Sequence, residues 1–252
     1  MKKNTTSKGY GSIRYSWITA VFFLILMQIF CRPANTRAAE TEIARYMSHL
    51  GDGFRYSFRD PEWLLVAGGI AALSPLDKTI KARYQYRLMP AAISRSADCY
   101  GRGINIILAN IYATSHGAFY GLAKKERLKQ IGLINEAFAV NLAITGILKY
   151  AVRRERPDGC NRYSFPSGHA SSSFTVAATL YTLYGKRVGI PAYLFAAVTG
   201  LQRIHSNKHW FSDVCTGALL GTLIGRGFAT LHNEGKKQNH ETAIMFNCSI
   251  RL

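Results

Sequence analysis

Acidic side chains are scarce in this 252-residue chain: 14 Asp and Glu stand against 32 Lys and Arg, a formal charge of +18. The imbalance predicts anionic partners, among them nucleic acid, a lipid headgroup surface or a phosphorylated substrate. Cysteine is sparse as well, five residues in all, and their spacings match no metal-ligand pattern, so no metal or other cofactor is expected. There is no internal repeat, no low-complexity segment and no composition break that would argue for two domains. A chain of this length can bury one sizeable core. Tyr and Phe are numerous (14 and 13); their placement reads as packing rather than a stacking platform, which argues against nucleic acid.

What is present begins with a basic N-terminus. Lys2, Lys3, Lys8 and Arg14 precede the charge-free run 15–31, and the small residues Ala34, Thr36, Ala38 and Ala39 follow. This is the layout of a bacterial export signal, so residues 1–39 are read as a signal cleaved near Ala38 or Ala39, or else as an uncleaved anchor. The remainder is then expected outside the cytoplasm, in the periplasm or on the periplasmic side of a membrane. Removing residues 1–39 takes away six basic and no acidic residues, leaving 26 − 14 = +12. Four cysteines remain, of which Cys99 and Cys160 are the expected disulfide pair and Cys215 a core residue.

Uncharged, largely apolar segments recur at 63–76, 103–123, 137–148, 170–185, 188–202 and 214–225. Their length and Ala/Leu content predict an all-α helical bundle over residues 40–232. Residues 233–252 read as a polar linker followed by a short strand, because Ile244, Phe246, Cys248, Ile250 and Leu252 alternate with period two. Only 103–123 reaches the ~20 residues that cross a bilayer, and it carries Asn105, Asn110 and His116. Mean hydropathy is −0.01, so a soluble or membrane-associated domain is expected over a polytopic one.

Three clusters carry candidate chemistry. In KYAVRRERP, Lys149 and Arg156 are seven apart and are expected on one helix face that Pro157 ends, where two cations can grip one anion. In PSGH, residues 166–169, Gly168 admits close backbone approach, and a helix starting here directs free N–H groups and the positive end of its dipole at an anion. Ser167 is placed to cap that helix or to donate to the anion, with His169 beside it. In QRIHSNKHWFSDV, His209 and Asp213 are four apart, which on a helix sets a carboxylate beside an imidazole and frees the other ring nitrogen as a nucleophile. Arg203 supplies a further cation. Each cluster alone would also suit a solvated helix end or a surface pair. Together they assemble what phosphoryl transfer needs: charge neutralisation, an in-line nucleophile and an acid for the leaving oxygen.

In this order the clusters resemble the type 2 phosphatidic acid phosphatase superfamily, which includes bacterial non-specific acid phosphatases and vanadium haloperoxidases. The resemblance covers residues 145–217, and Gln202 stands where the family usually has serine. It implies an all-α bundle and a metal-independent phosphatase in which His209 attacks phosphorus and forms a phosphohistidine. Asp213 would hold the tautomer of His209, and His169 would protonate the leaving group. Lys149, Arg156, Ser167, Gly168 and Arg203 would bind the phosphate. The implied substrate is a phosphorylated membrane lipid: phosphatidic acid, phosphatidylglycerol phosphate, a polyprenyl diphosphate or a lipid A type. Contact with an anionic membrane surface and a possible homo-oligomer complete the expected partners. A soluble periplasmic acid phosphatase is the alternative, followed by a lipid phosphotransferase and a haloperoxidase. His116 is read as a core or helix-end histidine, His205 and Lys208 as a solvated loop, and Arg153 and Arg154 as adding field without direct contact.

Overall fold

The structure, a computed structural model, describes residues 36–249. Two compact units divide the chain, Met1–Met47 and Ser48–Leu252. Of the first, the described residues are helical, forming the beginning of α1 (Thr36–Ser57). The export-signal reading lies outside the described residues except at 36–39. The second unit continues with α2 (Glu62–Leu73), a short 3-10 turn (Ser74–Leu76), α3 (Asp77–Tyr84), α4 (Ala91–Cys99), a widened turn (Tyr100–Ile104), α5 (Asn105–Phe119), α6 (Lys124–Val152), α7 (Gly168–Tyr184), α8 (Lys186–His205) and α9 (Phe211–Ser249). No strand occurs among the described residues, so the all-α bundle expected from segment length holds.

α7 is the central helix, packed against α8, α9, α6 and α5. Its sequence explains why: ten of its 17 residues are buried, and nearly all of them are Ala, Ser, Thr or Val. Small side chains let neighbouring backbones close in, as in tightly packed membrane bundles. α9 answers with Gly217, Gly221 and Gly225 at four-residue spacing. A Cβ at each would fall inside van der Waals contact with the carbonyl oxygens of Ser167, Ser171 and Thr175 on or beside α7. Around this seam, Ile134, Phe138, Val176 and Leu180 build one apolar core, and Leu133, Ile224 and Phe228 build a second.

Several expectations are corrected. Residues 233–249 form no linker and strand: α9 continues to Ser249. The 103–123 segment is broken, with the widened turn ending at Ile104 and Gly103 at φ 147°, a conformation open to glycine. Instead, Lys124–Val152 and the Phe211–Glu234 part of α9 are long and apolar enough to cross a membrane. Both carry charged residues that interrupt the apolar runs visible in the sequence. Large apolar side chains on α5 (Ile107, Leu108, Ile111) and α8 (Leu194, Phe195, Leu201) are exposed. Cys99 and Cys160 are free, exposed thiols and not a disulfide, and Cys215 is a half-buried free thiol. Cys160 is held in its own turn, where its N–H donates to Asp158 Oδ1 at 3.1 Å.

Candidate active site

The three clusters meet where α6 and α8 end and α7 and α9 begin. Helix C-termini favour the cations Lys149 and Arg203, while the N-terminus of α7 presents N–H groups to an anion. α6 stops at Val152, where Arg153 takes a left-handed conformation (φ 50°). Arg156 therefore reaches the site from the following loop and not from the helix face shared with Lys149 that the spacing suggested. Lys149 Nζ is drawn to the second cluster, donating to the carbonyls of Pro166 (2.6 Å) and Tyr163 (3.0 Å). Its Cε is close enough to Gly168 that a Cβ there would sit at 3.8 Å. The Phe165–Pro166 peptide is cis, and Ser167 is extended, forming the N-cap of α7 without a side-chain capping bond.

That uncapped Ser167 is part of a pattern. Its Oγ, Arg156 Nε and Arg203 Nε are all buried and unpartnered. An unsatisfied buried donor costs about 1–3 kcal/mol, so three in one place mark a cradle made for a ligand with several acceptor oxygens. Lys149, Arg156, Arg203 and His169 all act electrostatically on His209.

His209 departs from expectation in its partner. It lies in the turn before α9 and not on the helix with Asp213, so the four-residue spacing does not bring the two side chains together. Its Nδ1 is instead 2.6 Å from the carbonyl oxygen of Ser164. A carbonyl only accepts, so Nδ1 carries the proton and Nε2 holds the lone pair. Burial, with Arg203, Lys149 and Arg156 adding their charge, holds the imidazole pKa well below the usual histidine value. The ring is therefore neutral, as a nucleophile must be. Asp213 acts one step back: it accepts from Ser164 Oγ, from Trp210 N–H (3.0 Å) and from Arg154 (2.7 Å).

Arg154, read from the sequence as a background charge, sits at the centre of a buried network. One Nη donates to Asp213 and to Ser212 Oγ, the other to Asp77 at 2.7 Å, and Asp77 also accepts from Ser212 N–H (2.9 Å) and Oγ (2.6 Å). A second carboxylate outside the motifs, Asp98 on α4, pairs with Arg203 (2.5 Å), lies 3.3 Å from His169 Nε2 and pairs with Arg102. Asp98, Asp77 and Ser164 were missed because their partners stand 45 to 135 residues away in sequence. The available signal was negative: so basic a cluster needs counter-charges from a chain holding few. Gln202, the departure from the family pattern, accepts from Arg203 at 3.1 Å and donates to Ser94 Oγ at 3.3 Å. His205 is a structural acceptor for Leu88 N–H, Lys208 pairs with Asp158, and His116 stacks among Tyr112, Tyr120 and Tyr184.

Residues 131–237 match the family model of the PAP2 superfamily, which bears out the resemblance read from the motifs. The chain is 38% identical over 112 residues to a lipid A 1-phosphatase of Porphyromonas gingivalis, covering 42% of this chain and 25% of that protein. It is 38% identical over 93 residues to a decaprenylphosphoryl-5-phosphoribose phosphatase of Mycobacterium tuberculosis, covering 33% and 50%. The chain thus spans a quarter to a half of the length of these relatives. In fold it is similar to a transmembrane PAP2-type phosphatidylglycerolphosphate phosphatase from Bacillus subtilis, with a TM-score of 0.53 and 21% identity over 69% of this chain and 92% of that one.

Proposed function

We propose that this chain, matched to the PAP2 superfamily over residues 131–237, is a membrane-embedded lipid phosphatase working through a phosphohistidine. The observation that carries the proposal is the set of buried donors without partners, Ser167 Oγ, Arg156 Nε and Arg203 Nε, converging beside a neutral histidine. A tetrahedral phosphate answers all three and adds the charge that Lys149 and Arg156 lack: neither has a carboxylate in ion-pair range among the described residues.

In the reaction, His209 Nε2 attacks phosphorus in line while the ester bond to the leaving oxygen breaks. His169 gives that oxygen its proton. The Nδ1–H of His209 stays on the Ser164 carbonyl, which supports the positive charge of the phosphoimidazole. His169 then takes a proton from water, the hydroxide attacks phosphorus, and the P–N bond returns its pair to Nε2. Lys149, Arg156 and Arg203, with Ser167 and the N–H groups of Gly168 and its neighbours, neutralise the three equatorial oxygens throughout. These cations supply the charge neutralisation without calling on a metal.

A lipid substrate fits the exterior. Lys124–Val152 and Phe211–Glu234 are taken to cross the bilayer, the exposed apolar faces of α5 and α8 to meet acyl chains, and the basic site to lie at the headgroup level. The relatives above are named for phosphates carried on lipids. The class comprises phosphatidic acid, phosphatidylglycerol phosphate, polyprenyl diphosphates and lipid A phosphates. The N-terminal signal layout read from the sequence supports a site on the periplasmic side.

The test is phosphate release by the detergent-purified full chain, with chelator present, from phosphatidic acid and from p-nitrophenyl phosphate, beside His209→Ala. Chelator-resistant release that favours the lipid and is lost in the variant supports the proposal. Preference for the soluble ester would replace it with the soluble acid phosphatase reading. Release that survives His209→Ala would remove the phosphohistidine.

A further inference from the structure

The mechanism leaves Asp98 unused, yet it is the carboxylate nearest the acid. It stands in the last turn of α4, a helix no motif touches, and its Oδ1 faces two groups at once: it accepts from Arg203 Nη1 at 2.5 Å and lies within ion-pair range of His169 Nε2, at 3.3 Å, a buried nitrogen that has no hydrogen-bond partner. Its other oxygen takes Arg102 from one turn on. The chain is built to deliver it there. After Cys99 the helix widens over Tyr100–Ile104, and this turn is docked on α7. Ser172 Oγ donates to the Gly101 carbonyl at 3.2 Å, and buried Asn105 Nδ2 lies 3.4 Å from Ser172 and Ser173 Oγ. Gly101 has to be glycine, since a Cβ would stand 2.8 Å from His169 Cδ2 and 2.7 Å from Thr199 Cγ2. The backbone that carries Asp98 therefore packs directly on the ring it serves.

We propose that Asp98 is the positioning residue of the general acid, holding His169 by Nε2 and Arg203 by Nη1 so that His169 Nδ1 is left to protonate the leaving oxygen. The inference rests on the phosphatase reading. The arrangement is the base–orienter pair that the sequence suggested for His209 and Asp213, found instead at the other histidine. A carboxylate on Nε2–H fixes the tautomer and stabilises the imidazolium. Burial pushes the proton off His169, and the charges of Arg203 from α8 and Arg102 from the widened turn act in the same direction; Asp98 is the group that opposes them. The Asp98 carboxyl is itself pushed up by burial, but His169, Arg203 and Arg102 outweigh that and hold it well below the usual carboxylate range. It stays ionised and takes no proton itself.

The test separates proton delivery from mere structure by the leaving group. An alkyl phosphate such as phosphatidic acid needs an acid; 2,4-dinitrophenyl phosphate departs as a stable anion and does not. In the full chain, Asp98→Asn should lower kcat on the alkyl ester about 10²-fold or more, the scale of acid help, and on the dinitrophenyl ester by less than about 5-fold. His169→Ala should show the same split, and the double variant should lose little beyond His169→Ala alone. Asp98→Glu should recover part of the alkyl rate. Equal losses on both esters, or full additivity with His169→Ala, would overturn the proposal. A second readout needs no turnover: 15N NMR titration of His169 should show its pKa lower in Asp98→Asn than in the unsubstituted chain. An unchanged titration overturns the proposal. If neither ester is hydrolysed by the unsubstituted chain, the phosphatase reading fails, and this titration still decides whether Asp98 sets the imidazole.

Discussion

The stretch 149–213 and the helices before it, α3 and α4, contribute opposite charges to one site. The first carries all three motifs and four of the cations, Lys149, Arg154, Arg156 and Arg203. The second carries no motif and supplies Asp77 and Asp98, which pair with Arg154 and Arg203. The difference separates two kinds of cation. Arg154 has carboxylates on both sides, Asp77 and Asp213, so it braces the loop holding His209. Lys149 and Arg156 have none in ion-pair range among the described residues, which leaves their charge for a ligand. Arg203 is divided, one Nη on Asp98 and Nε open.

Breaking the motif side should cost most. His209→Ala is expected to lower kcat on phosphatidic acid by about 10⁴-fold or more while leaving the melting temperature near that of the unsubstituted chain. Breaking the other side should show as stability: Asp77→Ala leaves Arg154 half-neutralised and strips two acceptors from Ser212, at a cost of about 3 kcal/mol read from thermal unfolding in detergent. The comparison is sharpened by Arg156→Ala, which removes a cation without a carboxylate. It should reduce kcat/KM about 10–100-fold, or about 1.4–2.7 kcal/mol in the transition state, with little loss of stability.

The pH dependence follows from His209. Its folded pKa lies well below the usual value of 6.5, so the ring stays neutral and nucleophilic as pH falls through that range, and the acid limb of kcat/KM attributable to it should appear only well below pH 6.5. Stability runs the other way. The unfolded chain protonates this histidine near pH 6.5 and the folded chain does not, so its contribution favours the unfolded state increasingly as pH drops below 6.5. Denaturant midpoints measured for the full chain and for His209→Ala, which lacks that slope, test the sign. The smallest effect belongs to the free thiols: Cys99→Ser and Cys160→Ser should each change stability by less than about 0.5 kcal/mol, with or without reductant. A larger, reductant-sensitive loss would restore the disulfide expectation.

Lys149, Ser167, Gly168, His169 and Arg203 could be read along the chain because each lies within a turn of a helix end, and Arg156 and His209 because each lies in the short loop beside one; helix ends announce themselves by glycine, proline and hydroxyl residues at short range. Asp213 could be read as a participant but not in its role. The spacing of four implies a side-by-side pair only if both residues are helical, and His209 lies in the turn ahead of Phe211. The membrane-length helices were obscured for a related reason: the charges near the start of α6 lie on the helix and do not mark where it ends.

By itself, then, the sequence determined the all-α class, the position of the candidate anion cradle at the start of α7, and the two candidate histidines, since all of these follow from local periodicity and capping. Only the tertiary structure decided which carboxylate meets which cation. Asp77 and Asp98 reach their partners because α3 and α4 pack against the ends of α8 and α9, and ion pairing across 77 and 105 residues leaves no periodic trace. It also decided the tautomer of His209, because a backbone carbonyl offers the same acceptor whatever side chain it belongs to, and only the fold places that of Ser164 against Nδ1.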